Sequence, residues 1–370
     1  MRAPSPVTPK RVDGPPVRIG ALVPLTRPGW TEAGRHLLAG LELAVSEANA
    51  AGGVLGQPLE LVVRDTAADP QRAAAAVDEL ADLGVAALAG EYHSVVARTA
   101  AIRADALGLP FLCSSAVLDT LTDRPTQWVA RLSPPQSRGW GIYADFLLGA
   151  GHSRIAVAAE PSVYWAAGTR ILRDHLAAHG GTVVELDPRE LPPAALCDEL
   201  VESRATALLL LAGHPEPAVP IVRAVRRDER LAGTLIGAPA GQPELAGWAE
   251  LLGEDGAAVP FLRYLPEHLG PLGTRVEAAL GERLGGAPSF VAFEGYDTVN
   301  VLAEVLRSHG AKDRAQTAGS WSRVAVEGTR GTIRFSRTPG IDVWQWVWAP
   351  VQVVDRDPAE PGRFRVLHSG

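Results

Sequence analysis

Residues 47–70 read EANAAGGVLGQPLELVVRDTAADP. A helix-like run ends at Asn49, and Gly52 and Gly53 supply the left-handed conformation that stops it. Gln57-Pro58 leads into an apolar strand from Leu59 to Val63. Asp69-Pro70 then starts a second helix, with the carboxylate as N-cap and the proline at the first helical position. One short segment therefore ends a helix, makes a strand and starts another helix, which is the rhythm of a parallel sheet.

The same rhythm extends both ways. Upstream, VRIGALVPL at 17–25 is a buried strand, followed by the turn-rich loop TRPGWTEAG. From Arg35, the residues Leu37, Leu41, Ala44, Val45 and Ala48 recur at helical spacing on one face. Downstream, the helix begun at Pro70 runs to about Leu83, and GVAALAG at 84–90 is the third strand. This β-α-β-α-β order implies a parallel sheet with helices on both faces. LPFLCSS and WVARLSPP read as two more strands, after which the alternation restarts over residues 137–236, with a helix expected over 215–228. AAVPFLRYLP is a further strand, residues 270–284 and 290–309 are helices, and GTIRFSRTPG and DVWQWVWAPVQVV close the chain as strands. Trp344, Trp346 and Trp348 alternate at strand period and are expected to share one face as packing residues.

The bulk properties agree. At 370 residues the chain exceeds the usual size of a single core, so two lobes are expected. The net charge is −7 and no basic run follows the first dozen residues, which argues against a nucleic-acid partner. Lysine occurs only at Lys10 and Lys312. Cys113 and Cys197 lack metal-ligand spacing and read as two buried thiols, a disulfide being the alternative. Residues 1–16 are Pro-rich and polar, as a disordered tail would be. They hold no apolar core of signal-peptide length, so the chain as written reads as cytoplasmic, or else as exported with its signal missing.

The opening segment resembles the first helix, turn, second strand and acidic turn of the leucine/isoleucine/valine-binding protein family. These are type I periplasmic solute-binding proteins of ABC transporters, whose members show Ile-Asn-x-x-Gly-Gly-Ile-x-Gly, a strand, then Asp-x-x-x-Asp-Pro. FVAFEGYDTVNVLAEVL at 290–306, GTRGTIRFSRTPG at 328–340 and VWQWVWAPVQVV at 343–354 are similar to later parts of the family, so the resemblance runs nearly the whole length from Val17. It implies an α/β fold of two doubly wound lobes with parallel sheets, joined by a three-strand hinge. The expected N-lobe is 17–133 plus 263–341 and the C-lobe 134–262 plus 342–370, with crossings near Ser133, Leu262 and Ile341. The expected ligand site is the cleft between lobes, closing about the hinge.

The resemblance also implies a binding set. From the N-lobe, GEYHSVVA places Ser94 at the family's hydroxyl position with Tyr92 before it, at a helix start where backbone N–H groups meet an anion. Ser94 equally fits a plain N-cap. CSSAV places Ser114, Ser115 and Ala116 where the family presents backbone groups, and Val117 replaces a threonine. From the C-lobe, Tyr164 matches an aromatic at a helix start, with Trp165 adjoining, and His214 remains where Gly213 replaces a tyrosine. Trp30 lies on a loop expected at the cleft mouth. The family's acidic partner for an α-ammonium is missing from 237–241, which disfavours a plain α-amino acid unless Glu216 or Glu294 supplies the charge. Removing the Ser94 hydroxyl is expected to weaken ligand binding without unfolding the protein.

Enzyme chemistry is not indicated: the sequence has no G-x-S-x-G, Walker loop, G-x-G-x-x-G or H-E-x-x-H. His175 and His179 have metal-ligand spacing but read as a solvated helix face, and His93 beside Ser94 makes a poor base–nucleophile pair. No cofactor or metal is expected. The expected function is non-enzymatic binding of a small organic ligand (an amide, an aromatic acid or an amino-acid-like compound) that feeds an ABC transporter permease. The alternative is a cytoplasmic small-molecule sensor on the same fold, similar to the amide-responsive regulators of amidase operons. A hydrolase is the third class.

Overall fold

The computed structural model describes residues 14–309, 313–360 and 362–370. Most of the tail expected at 1–16 lies outside them. The chain divides into two compact units, one holding the residues up to Ser133 with Leu269–Ala349, the other Pro134–His268 with Pro350–Gly370.

Unit 1 opens with β1 (Val17–Val23), α1 (Thr31–Ala50), β2 (Leu59–Asp65), α2 (Pro70–Asp82), β3 (Ala87–Gly90), α3 (Ser94–Ala106), β4 (Phe111–Cys113) and β5 (Val129–Arg131). Unit 2 follows with α4 (Gln136–Gly149), β6 (Arg154–Ala159), α5 (Val163–Ala178), β7 (Thr182–Leu186), α6 (Pro193–Ser203), β8 (Ala207–Leu211), α7 (Ala218–Arg227), β9 (Leu235–Gly237), α8 (Ala246–Leu252) and β10 (Phe261–Arg263). The chain then returns to unit 1 with α9 (Pro271–Leu284), α10 (Phe290–His309), α11 (Arg314–Ala318), β11 (Val326–Gly328), β12 (Gly331–Ile333), β13 (Phe335–Ser336) and β14 (Trp344–Trp346). It ends in unit 2 with β15 (Gln352–Arg356) and β16 (Phe364–Ser369).

The sheet of unit 1 has the order β13-β14-β5-β4-β3-β1-β2, parallel except for the β13–β14 pair. α1 packs on α9 and α10, and α2 on α3, so helices cover both faces. The sheet of unit 2 has the order β7-β6-β8-β9 and is wholly parallel. Leu196 and Leu200 of α6, Ile221 and Val222 of α7 and Trp248 of α8 fill a core against Leu208 and Leu210. Cys113 and Cys197 are free, buried thiols, and no disulfide joins them.

The opening stretch folds as its residues require, and Asn49 has a reason of its own. Its side chain donates to Leu59 O (2.9 Å) and accepts from Leu59 N (2.7 Å), fixing the start of β2 beside the helix that precedes it. Gly52 and Gly53 have φ of 103° and 69°, and Gly53 N donates back to Ala48 O. Asp69 accepts from Gln71 N and Arg72 N as an N-cap.

Several expectations change. α1 begins at Thr31, before Arg35, which puts Trp30 at its N-cap. α7 begins at Ala218, because Pro215 and Pro217 occupy the turn before it. The strand expected over 344–354 is two strands. β14 ends at Trp346 and pairs with β5 of unit 1, while β15 pairs with β10 of unit 2. Trp344 and the buried Trp346 are both in β14, but Trp348 lies beyond it and is 77% exposed, so the three tryptophans do not share one face. Because β10 pairs inside unit 2 and β14 inside unit 1, the second and third crossings follow His268 and Ala349, later than the expected Leu262 and Ile341. β16 was not expected; it extends β10 and β15 into an antiparallel three-stranded sheet.

Candidate functional site

In a doubly wound sheet the loops at the carboxyl ends of the parallel strands are the functional edge. In unit 1 these loops are tied together by carboxylate acceptors. Asp65, the last residue of β2, accepts from Leu25 N (2.8 Å), Ala67 N (2.9 Å) and the Thr26 hydroxyl (2.6 Å). Burial works to raise the Asp65 pKa, but these hydrogen bonds hold it below its ordinary value.

Glu91, directly after β3, is fully buried. Its Oε1 accepts from Tyr92 N (2.8 Å) and His93 N (3.0 Å), and its Oε2 from the Thr66 hydroxyl (2.7 Å). Trp30 N donates to His93 Nε2 (3.1 Å), which ties the β1–α1 loop to the same turn. The result is a half-exposed cluster of three rings. Trp30 and Tyr92 lie 5.7 Å apart at 39°, Tyr92 and His93 5.2 Å at 87°, and Trp30 and His93 6.1 Å at 78°.

Ser94 opens α3 beside this cluster. Its Oγ accepts from Val117 N (3.1 Å) and Leu118 N (3.3 Å), and Arg131 Nη1 donates to Leu118 O (2.5 Å). The Ser94 hydroxyl thus staples the β3 and β4 loops, and with both lone pairs used its O–H is left as a donor. This adds a structural role to the expected ligand contact. Ser94→Ala is expected to weaken ligand binding and also to lower stability by about 1–3 kcal/mol, because two buried N–H groups lose their acceptor. Chemical denaturation of the unliganded variant checks the second half; an unchanged midpoint would show that the staple is dispensable.

The other unit 1 candidates divide. Ser114 is spent inside the unit: its N donates to Gly90 O, its O accepts from Ser133, and its Oγ bonds Gly90 N and Thr298. Ser115 N donates to Glu91 O at 3.4 Å, and the Val117 N–H is taken by Ser94. Ala116 is fully buried. His93 bonds Trp30 and not Ser94, so no base–nucleophile pair forms.

Unit 2 has its own cluster after β6 and β8. Tyr164 is half-buried, edge-on to Trp140 (5.9 Å, 82°) and tilted against Trp165 (4.7 Å, 51°). Burial pushes its phenol above the usual range. Ser162 Oγ accepts from Trp165 N (2.9 Å) and caps α5. His214 stacks on the buried Trp248 (5.6 Å, 30°), so one ring face is used in packing. The Ala212–Gly213 peptide is gripped on both sides: Gln242 Nε2 donates to Ala212 O (3.1 Å) and Glu160 Oε2 accepts from Gly213 N (2.6 Å). Glu244, beyond the turn at 237–241, is buried and paired with Arg263 (3.0 Å). Glu216 is exposed, and Glu294 in unit 1 is held by Arg330 (3.3 Å) and Ser133 (2.6 Å). On the surface, His175 bonds Asp145 (2.7 Å) and stacks on His179.

Glu91, His93, Glu160 and Gln242 were missed as site residues. Glu91 and Glu160 did leave a signal, since each is an acidic residue placed immediately after an apolar strand.

Burial pushes both Glu91 and Glu294 up to about 7, against the pull of hydrogen bonds at Glu91 and of Arg330 at Glu294. The native state then keeps protons that the unfolded chain releases near pH 4.5. Their contribution is full below that value and is lost as pH rises through about 7, by up to ~3 kcal/mol per group. Denaturant midpoints are expected to fall between pH 5 and pH 8, with Glu91→Gln and Glu294→Gln each flattening the slope. A wild-type midpoint that climbs across that range would contradict this.

A family model described as "Periplasmic binding protein" matches residues 16–345. Leu/Ile/Val-binding protein homolog 8 of Brucella abortus is 30% identical over 177 residues, 45% of this chain and 44% of the relative, so the match spans less than half of that relative's length. The leucine-binding protein LivK of Thermotoga maritima superposes with a TM-score of 0.80 at 22% identity, covering 95% of this chain and 97% of its own. A solute-binding protein of R. palustris in complex with benzoate gives 0.78 at 15% identity, covering 96% of each chain.

Proposed function

Because the chain belongs to the periplasmic binding protein family, we propose that it is the ligand-binding component of an ABC importer and takes up a small organic molecule with a flat apolar body and a carboxylate or amide carbonyl. Hinge closure on the ligand and delivery to a permease are part of this proposal. The observation that carries it is the Trp30–Tyr92–His93 ring cluster beside Ser94, whose hydroxyl has only its proton left to offer. Rings receive a flat body, and a donor receives an oxygen. Tyr164 and Trp165 are the corresponding candidates in unit 2.

A zwitterionic aliphatic amino acid suits this inventory less well, because a desolvated ammonium needs a carboxylate and Glu244 and Glu294 already serve arginines. Free leucine, isoleucine and valine are expected to bind with dissociation constants well above the micromolar range. The test is a thermal-shift panel of these three against benzoate, benzamide and short amides. A ligand at 100 times its dissociation constant should add about 2.7 kcal/mol and move the melting temperature visibly. A large shift with leucine and none with the aromatic acids or amides would overturn the ligand class.

A further inference from the structure

His93 has chemistry that its neighbours define. It stands at the N-cap position of α3 with extended backbone, yet its side chain makes no capping bond. Instead its Nε2 lies 3.1 Å from Trp30 N. A backbone N–H can only donate, so Nε2 is the acceptor and the proton of the neutral ring sits on Nδ1. Burial pushes the imidazole down to about 4, which keeps it neutral near pH 7. The Glu91 carboxylate, the nearest charge on its own loop, is occupied by Thr66 and by the N–H groups of Tyr92 and His93. Among the described residues, Nδ1–H has no acceptor. The ring is flanked by Trp30 and Tyr92 and followed by Ser94, whose hydroxyl is likewise limited to donating.

We infer that His93 is a ligand-binding residue, locked in one tautomer by the Trp30 N–H, whose Nδ1–H donates to an oxygen of the bound molecule and so selects carboxylate and carbonyl ligands. This rests on the ligand face proposed for unit 1 and adds to it the group that reads the ligand's oxygen.

Two variants separate the donor from the loop tie. In His93→Gln the amide oxygen can take the place of Nε2 and keep the Trp30 bond, but nothing replaces Nδ1–H. In His93→Asn the amide nitrogen stands near Nδ1, but the side chain is too short to reach Trp30. With benzoate as the probe in calorimetry, His93→Gln is expected to lose roughly ten- to hundredfold in affinity, the cost of one hydrogen bond to a charged group, at an unchanged melting temperature. His93→Asn is expected to melt lower and to keep more of the benzoate affinity than His93→Gln. Long-range ¹H–¹⁵N spectra of histidine-labelled protein should show the Nδ1–H tautomer at residue 93. Benzoate binding by His93→Gln equal to wild type, or an Nε2–H tautomer, would overturn the inference while leaving the proposed function standing. A wild-type protein that binds neither benzoate nor benzamide would remove the reading of this face, and the inference with it.

Discussion

Arg330→Met is expected to destabilise the protein by about 3–5 kcal/mol, because it would strand two carboxylates in the interior. The Arg330 side chain is fully buried, with its Nε 3.0 Å from Asp297 and its Nη1 3.3 Å from Glu294, both on α10. Its guanidinium also lies over the Trp346 ring at 5.0 Å. Burial raises both Glu294 and Asp297 above their ordinary values, and the single Arg330 cation they share pulls against it without overcoming it. Methionine keeps the volume and removes the charge. Adding Asp297→Asn and Glu294→Gln should recover much of the loss, since an uncharged cluster has no desolvation to offset. Urea denaturation of the single and triple variants measures this. A single variant within 1 kcal/mol of wild type (roughly the worth of an exposed pair) would show that the cluster is hydrated or neutral.

Gly40→Ala should cost about 3 kcal/mol, at the upper end for an overpacked interior. On propensity alone the change would stabilise a helix by about 1 kcal/mol, so the sign of the result decides which effect wins. α1 and α10 approach backbone to backbone at this point. A Cβ on Gly40 would come within 1.9 Å of Ala292 O, and one on Gly295 within 2.3 Å of Leu37 O. The two glycines thus face each other's helices, and neither backbone can yield as a flexible side chain would. Thermal unfolding of Gly40→Ala and Gly295→Ala should show both destabilised. A melting temperature above wild type for either would show that the helices have room to separate.

Both predictions touch residues whose sequence signals were visible but whose connection was not. FVAFEGYDTVNVLAEVL and GTRGTIRFSRTPG read as separate family echoes, yet in the fold Asp297 of the first accepts from Thr329 N and Arg330 Nε of the second. Tyr296 reaches Glu47 in the opening stretch (2.6 Å), and Thr298 reaches Ser114 (2.8 Å). Local chemistry was legible because it is written within one turn of chain: the Asp69 N-cap, the Gly52-Gly53 stop and the strand–helix alternation. Partner choice across the sheet was not. Glu91 meets Thr66 and His93 meets Trp30 across 25 and 63 residues, and no periodicity announces such pairs. The tryptophans at 344, 346 and 348 misled for a related reason. Strand-like alternation says nothing about where a strand stops, and the chain leaves unit 1 after Ala349.

The close fit of α1 on α10 has a consequence for how the protein is made. His36 on α1 finds Ser289 only 253 residues later in the chain. At typical ribosomal speeds of ~5–20 residues per second, that interval is about 10–50 s. Throughout it the apolar stripe of Leu37, Leu41 and Ala44 has no α10 to lie against, and β5 waits almost as long for β14. The four parallel strands of unit 2, by contrast, are contiguous between residues 154 and 237 and can associate as soon as they emerge. Nascent chains of this protein should therefore carry a finished middle and an unfinished beginning, with α1 the segment in greatest need of a chaperone.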